Sequence, residues 1–251
     1  MAAIDVRAVC IHAHNAWRDM FVESIRSIRS RVRYAHLEKS LSMSRVRRMF
    51  EKYDRTSDSD MVAARSRCYR PLMTYVYRTL QAHQETRTLR VLDLGCGTGV
   101  LLSQLTERLS YEFKYVGYDI DRRLISTLSG MNHQENVLFT SELPREEFDF
   151  VIAVNSLCYM NAEELSKTLA APFMAECHLV IIEPVPSWLW ESRFADIQLA
   201  LRMPGQLIKV ASGYGFSIVE SPMLSYVGRL GNRYFLPVAW AAHLSSVSRI
   251  R

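Results

Sequence analysis

The chain has 251 residues, 49% of them hydrophobic and 23% charged, with a formal net charge of +5. That length suits one large domain, or one domain with an added cap, and that balance excludes the disordered, collagen-like and disulfide-scaffold classes. Cys10, Cys68, Cys96, Cys158 and Cys177 form no CxxC pair and no His pair has zinc-ligand spacing, so free thiols in a reducing compartment and no metal are expected.

Residues 1–50 hold ten Lys and Arg against Asp5, Asp19, Glu23 and Glu38, a net +6 that leaves −1 for the remainder. A basic segment of that kind suits RNA or an anionic ligand, yet its arginines interleave with apolar residues, as on a solvated helix face. The opening residues, soon reaching His12, His14 and Arg18, lack the layout of a signal peptide, and no run of about 18 apolar residues exists. The expectation is a cytoplasmic protein without membrane attachment.

Val9, Ala13, Trp17, Phe21, Ile25, Ile28 and Val32 recur at steps of three and four, which predicts an amphipathic helix over 6–34. A second helix is expected over Ser44 to Lys52. Ser57 to Asp60 reads as a turn and cap for a third starting near Met61. Pro71 suits the first turn of a fourth, Leu72 to His83. Residues 1–85 thus read as a helical cap and 86–251 as a core.

The core begins with the buried-strand run Leu89 to Leu94, followed by a glycine cluster. A helix over Leu101 to Leu109 and a strand over Tyr115 to Tyr118 follow, then a helix from Arg122 to Ser129. Val137 to Phe139 and Phe150 to Val154 read as strands, Ala162 to Leu169 as a helix, and His178 to Ile182 as a fifth strand. Strands alternating with helices predict a doubly wound parallel sheet. Gln206 to Ser212 reads as a helix and Phe216 to Glu220 as a strand. A last strand is expected within Arg233 to Trp240, restricted by Pro237 to an edge or a strand end.

Asp93-Leu94-Gly95-Cys96-Gly97-Thr98-Gly99 joins a predicted strand to a predicted helix. Its glycines allow a sharp turn and close ligand approach, at the carboxyl end of a strand, where open α/β sheets bind ligands. Asp119 closes the next strand and can accept both hydroxyls of a ribose. Dinucleotide sites need GxGxxG facing a pyrophosphate; here the spacing is GxGxG, and Asp93 would repel phosphate but attract an ammonium. The pattern favours a cationic nucleoside without phosphates, and S-adenosylmethionine fits.

On these residues, Val91 to Pro184 resembles the core of the class I S-adenosylmethionine-dependent methyltransferases. The resemblance implies a Rossmann-like α/β fold, a doubly wound seven-stranded sheet beneath an N-terminal helical cap. It implies cofactor contacts from Asp93, Gly95, Cys96, Gly97, Gly99, Asp119 and Ile120. Ser141, Glu142 and Leu143 resemble the segment lining the adenine, although relatives often carry Asp then a small residue there. Asn155-Ser156-Leu157-Cys158-Tyr159 follows the fourth strand without the Asn-Pro-Pro-aromatic signature of enzymes that methylate exocyclic base amines, which disfavours a nucleic-acid substrate. No acid cluster resembles the metal site of catechol-type relatives.

Methyl transfer from a sulfonium is an in-line displacement, served chiefly by holding the reactants at contact distance in a dry cavity. Asn155 and Tyr159 stand at the mouth, Asn155 for the substrate or the methionine end and Tyr159 to orient a nucleophile or take a proton; turn capping and packing are the alternative roles. Tyr53 is a third catalytic candidate, reaching over from the cap. Tyr69, Arg70, Glu183, Trp188 and Trp190 are the substrate-side candidates. The seven histidines show no pairing, and His178 reads as structural. The expected partner is a small molecule, methylated on N, O or C by a monomer or homodimer, with secondary metabolism as the expected setting. Two rivals use the same motifs: attack on the carbon chain of the methionine, releasing methylthioadenosine, and an RNA-directed methyltransferase.

Overall fold

Apolar residues in unbroken runs need cover on both sides of a strand, and three central strands here have it. In β1 (Leu89–Leu94), β4 (Phe150–Val154) and β5 (His178–Pro184), the side chains alternate between two buried layers. Val91, Phe150, Ile152, Val180 and Ile182 enter one layer, whereas Leu92, Val151, Ala153, Leu179 and Ile181 enter the other. The structure, a computed structural model, describes residues 72–83, 87–132, 134–184, 204–225, 228–230, 233–235 and 238–246. The helices expected over 6–34, over 44–52 and from Met61 lie outside these.

The first layer is covered by residues 72–82 (α1), Val100–Arg108 (α2) and Arg122–Met131 (α3), through Leu72, Val76, Leu80, Leu101, Leu105 and Ile125. The steps of four in α1 set one apolar stripe against the sheet. This helix, counted with the 1–85 segment in the sequence, packs with the core. The second layer is covered by Ala162–Leu169 (α4) and Pro204–Ser212 (α5), through Leu165, Leu169, Leu207 and Ala211. Asp121 caps α3, and Asn161 with Glu164 forms a reciprocal capping box on α4.

Phe113–Tyr118 (β2) and Val137–Thr140 (β3) lie beyond β1, parallel to it. The strands Ser217–Glu220 (β6), Met223–Ser225 (β7), Gly228–Leu230 (β8), Arg233–Phe235 (β9) and Val238–Ser245 (β10) complete the described elements. The sheet order is β3-β2-β1-β4-β5-β10-β6, with β7 also paired to β10, and β8–β9 forms a separate hairpin. β10 runs antiparallel to both β5 and β6. The expected seven strands of a Rossmann-like sheet are present, with the short β7 joining as an eighth, and the order reverses between β1 and β4, the crevice where such sheets bind ligands.

The last strand corrects the sequence expectation. It starts just after Pro237, as the strand-end reading of the proline expects, but it lies inside the sheet and runs to Ser245, past the expected limit at Trp240. Arg233–Phe235 belongs to the hairpin instead.

Candidate active site

The turn after β1 is built by glycine conformations that other residues resist. Gly95, Gly97 and Gly99 all have positive φ (86°, 53° and 75°). The amides of Gly95 and Cys96 both donate to the Tyr118 carbonyl at 2.8 Å, tying the turn to the end of β2. At Gly95 a Cβ would lie 2.5 Å from the Cβ of Ser156, so two loops cross here with no room for a side chain. At Gly97 a Cβ would meet open space, leaving that backbone accessible.

Asp119 follows β2 and is buried. Its Oδ2 accepts from the Gly97 amide at 3.0 Å and its Oδ1 from the Asp121 amide at 2.9 Å. Both carboxylate oxygens thus brace the backbone on either side of the crevice mouth, at the glycine turn and at the cap of α3. Ile120, next to it, is also buried.

Asp93 is 2% exposed, and Tyr115 donates its hydroxyl to Asp93 Oδ2 at 2.6 Å. Burial pushes the Asp93 carboxyl up to about 7, opposed by the Tyr115 hydrogen bond and reinforced by the negative charge of Asp119. Burial and the neighbouring acid push the Tyr115 phenol far up, so it stays a donor. Tyr115 gave no sequence signal; only the β1–β2 register, pairing Asp93 with Gly117, reveals it. Gly117 leaves room for the rings: a Cβ there would come within 2.7 Å of Phe139.

Across the crevice, Asn155 follows β4 with φ 52° and donates its amide to the Ile182 carbonyl at 2.8 Å. The following 3₁₀ turn, Leu157–Tyr159, is held by Glu183. Glu183 Oε1 accepts from the amides of Ser156 at 3.0 Å and Leu157 at 2.7 Å, and the residue is buried. Read in the sequence as facing substrate, Glu183 has this carboxylate oxygen committed to the loop that carries Asn155 and Tyr159. Both of those are half-buried at the mouth. Ser141 is half-buried, and Glu142 and Leu143 are exposed, with the Glu142 amide turned onto the Thr140 hydroxyl at 3.0 Å.

The structure therefore brings Asp93, the glycine turn, Asp119, Ile120, Asn155 and Tyr159 to the carboxyl ends of β1, β2 and β4. Tyr53, Tyr69, Arg70, Trp188 and Trp190 lie outside the described residues. A groove of about 440 Å³ between α2 and α3 shares Thr98 and Gly99 with the turn, but its walls are Leu102, Leu128, Met131 and Phe139, not the two acids. Two acids near one turn, one of them desolvated, make a site suited to a cation next to a polyhydroxylated group.

One further group departs from the sequence reading. His83, His178 and His243, which show no pairing along the chain, meet at the opposite end of the sheet. His178 Nδ1 and His243 Nε2 are 3.0 Å apart, and His178 stacks on Phe150. Burial, then the neighbouring His178 and His83, lower the His243 imidazole to about 4.

Residues 31–217 match a family model described as a methyltransferase domain. No curated protein matches. Among solved structures, magnesium protoporphyrin IX methyltransferase from Synechocystis with S-adenosylhomocysteine bound is 16% identical. It covers 80% of this chain and 99% of its own, with a TM-score of 0.57. An S-adenosylmethionine-dependent methyltransferase from Anabaena variabilis is 11% identical over 71% of this chain and 85% of its own, TM-score 0.53. A protein described by the conversion of a disulfide bond into a thioacetal group during echinomycin biosynthesis is 17% identical over 68% and 80%, TM-score 0.51.

Proposed function

This chain belongs to the class I S-adenosylmethionine-dependent methyltransferases, and on that footing we propose that it carries the methyl group of S-adenosylmethionine to N, O or C of a small molecule. The observation that carries the reading is the pair of acids on adjacent strand ends, Asp93 held by Tyr115 and Asp119 held against Gly97. In this reading Asp93 takes the ammonium of the methionine end and Asp119 the ribose hydroxyls. Gly95 to Gly99 keep the backbone close to the nucleoside, while Ile120 and Leu143 flank the adenine. The fit is chemical: an anionic, partly dry crevice complements a ligand with an ammonium and a sulfonium, and would repel a pyrophosphate.

The cofactor supplies the activated methyl group, and the chain's residues position and enclose. Asn155 and Tyr159 stand beside the expected sulfonium, on a loop whose backbone Glu183 fixes. That rigidity suits a reaction governed by contact distance and alignment. The segment before residue 72 supplies the cover in this proposal, contributing Tyr53, Tyr69 and Arg70, while Trp188 and Trp190 come from the segment after β5. A small acceptor follows from the loop after β4, which lacks the base-methylating signature, and its metabolic setting is proposed as biosynthetic.

The test is calorimetry with S-adenosylmethionine and S-adenosylhomocysteine, followed by identification of the nucleoside product. A micromolar site and S-adenosylhomocysteine as product support the proposal. Methylthioadenosine would instead mean attack on the methionine carbon chain.

A further inference from the structure

We infer that His83, His178 and His243 form a binding site for one divalent transition-metal ion of the zinc type, remote from the methyl-transfer site. The three residues come from three elements far apart in sequence: the residue following α1, the first residue of β5, and β10. Each offers one ligand nitrogen, and these nitrogens all lie within 4.8 Å of one another. Imidazole nitrogens are preferred ligands of zinc and its neighbours. Two nitrogens bound tetrahedrally at about 2.0–2.1 Å from zinc stand about 3.3–3.4 Å apart. His178 Nδ1 and His243 Nε2, 3.0 Å apart in a hydrogen bond, are within a few tenths of an ångström of that spacing, and an ion would take the place of the proton they share.

The surroundings prepare the rings for this role. His83 Nδ1 lies 2.8 Å from the carbonyl of Thr79, one turn back on α1. A carbonyl only accepts, so Nδ1 carries the proton and Nε2 is left with its lone pair. That is the arrangement by which metal-bound histidines are usually oriented, one nitrogen donating to a backbone carbonyl and the other to the metal. Phe150 lies under His178 with ring centroids 4.9 Å apart and an interplanar angle of 22°, fixing that ring's plane. His83 stands edge-on to Phe150 at 5.5 Å. His243 is buried, whereas His83 and His178 are half-buried, so an ion has an approach from solvent and a closed floor. Glu220 faces His243 across the β6–β10 ladder and brings a negative charge to the same face of the sheet. The fourth position of a tetrahedral ion goes to water.

The site lies where β5 begins, and the two cofactor-side acids lie where β1 and β2 end; these strands are parallel through β4. The ion is thus at the far end of the sheet from the chemistry. Its role is to fasten α1 and β10 to β5.

Tag-free full-length protein, freed of metal by chelator, would be titrated with Co²⁺ alone and then Zn²⁺ alone. Expected are one ion per chain, the visible absorption of tetrahedral Co²⁺, its loss on adding Zn²⁺, and a rise in Tm with Zn²⁺. His83→Gln, at a half-exposed position just past a helix, should weaken Zn²⁺ binding more than about tenfold, as metal-site changes do, and lose the Tm rise. It should leave the affinity for S-adenosylhomocysteine as in the parent. His178→Gln should weaken the metal in the same way, and His83→Gln alone carries the test if that protein does not fold. No bound Co²⁺ or Zn²⁺ in the parent, or equal binding by His83→Gln, would overturn the inference.

Discussion

Tyr115 reaches diagonally across the β1–β2 ladder to donate its hydroxyl to Asp93, 2.6 Å away, at the one point where Gly117 leaves the face open. A buried carboxylate gains its charge only with such help. Tyr115→Phe keeps the ring packed on Phe139 but removes the donor. Losing a hydrogen bond to a charged group costs about 1.5–3 kcal/mol, so S-adenosylhomocysteine should bind roughly tenfold or more weakly at pH 7 while the far-ultraviolet dichroism is unchanged. Equal affinity by calorimetry would mean that Asp93 does not need this support.

The Asp93 carboxyl sits at about 7 in the folded protein against 3.8 ordinarily. The folded chain therefore holds a proton that the unfolded chain has released, and this contribution to stability is lost as pH rises from about 4 through 7. Ligand binding runs the other way, because an ammonium prefers the ionised acid. Affinity for S-adenosylmethionine should tighten as pH rises from 5.5 to 8, by roughly tenfold per pH unit below 7. Calorimetry across that range checks it, and a flat profile would remove Asp93 from the ammonium contact.

Two neighbouring glycines should respond differently to the same change. Gly95→Ala combines a left-handed backbone with a 2.5 Å approach to Ser156, whereas Gly97→Ala carries the backbone strain alone. The strain is about 1–2 kcal/mol, and the clash adds to it. Thermal unfolding should therefore show a larger fall in Tm for Gly95→Ala. Gly97→Ala should fold and lose cofactor affinity, because its Cβ enters the open side of the turn.

Glu183 distinguishes a bracing role from a substrate contact. Glu183→Ala leaves the buried amides of Ser156 and Leu157 without their acceptor, at about 1–3 kcal/mol each. Glu183→Gln retains an oxygen for them. A Tm far lower in the alanine variant than in the glutamine variant is expected, with Glu183→Gln keeping most turnover. Equal stability of the two, with turnover lost in both, would favour direct contact with substrate.

Much of the sheet was legible because its central strands are unbroken apolar runs ending in turn residues. Leu89–Leu94, Phe150–Val154 and Ala162–Leu169 start and stop where the pattern says. β10 was not, since Val-Ala-Trp-Ala-Ala-His-Leu-Ser mixes small and polar residues, and its identity as a strand comes from pairing with β5 and β6. Within the site, Asp93, the glycines and Asp119 announced themselves through local spacing. Tyr115 and the three histidines did not, because 22 residues separate Tyr115 from Asp93 and 95 and 65 residues separate the histidines in turn. Glu183 was noticed for its position at a strand end, but its bond to a loop 26 residues earlier depends on the β4–β5 register.

The placement of β10 also sets an order of events during synthesis. Because the last described strand is inserted between β5 and β6, the edge of β5 stays open until Ser245 has left the ribosome. The nascent chain then carries a finished glycine turn and both acids beside an unpaired, strongly apolar strand, a template for pairing with other chains. A stalled or shortened chain lacking β10 would therefore be expected to reach the cell as an aggregating species or a chaperone client, even though every residue of the proposed cofactor crevice at the ends of β1, β2 and β4 had already been made.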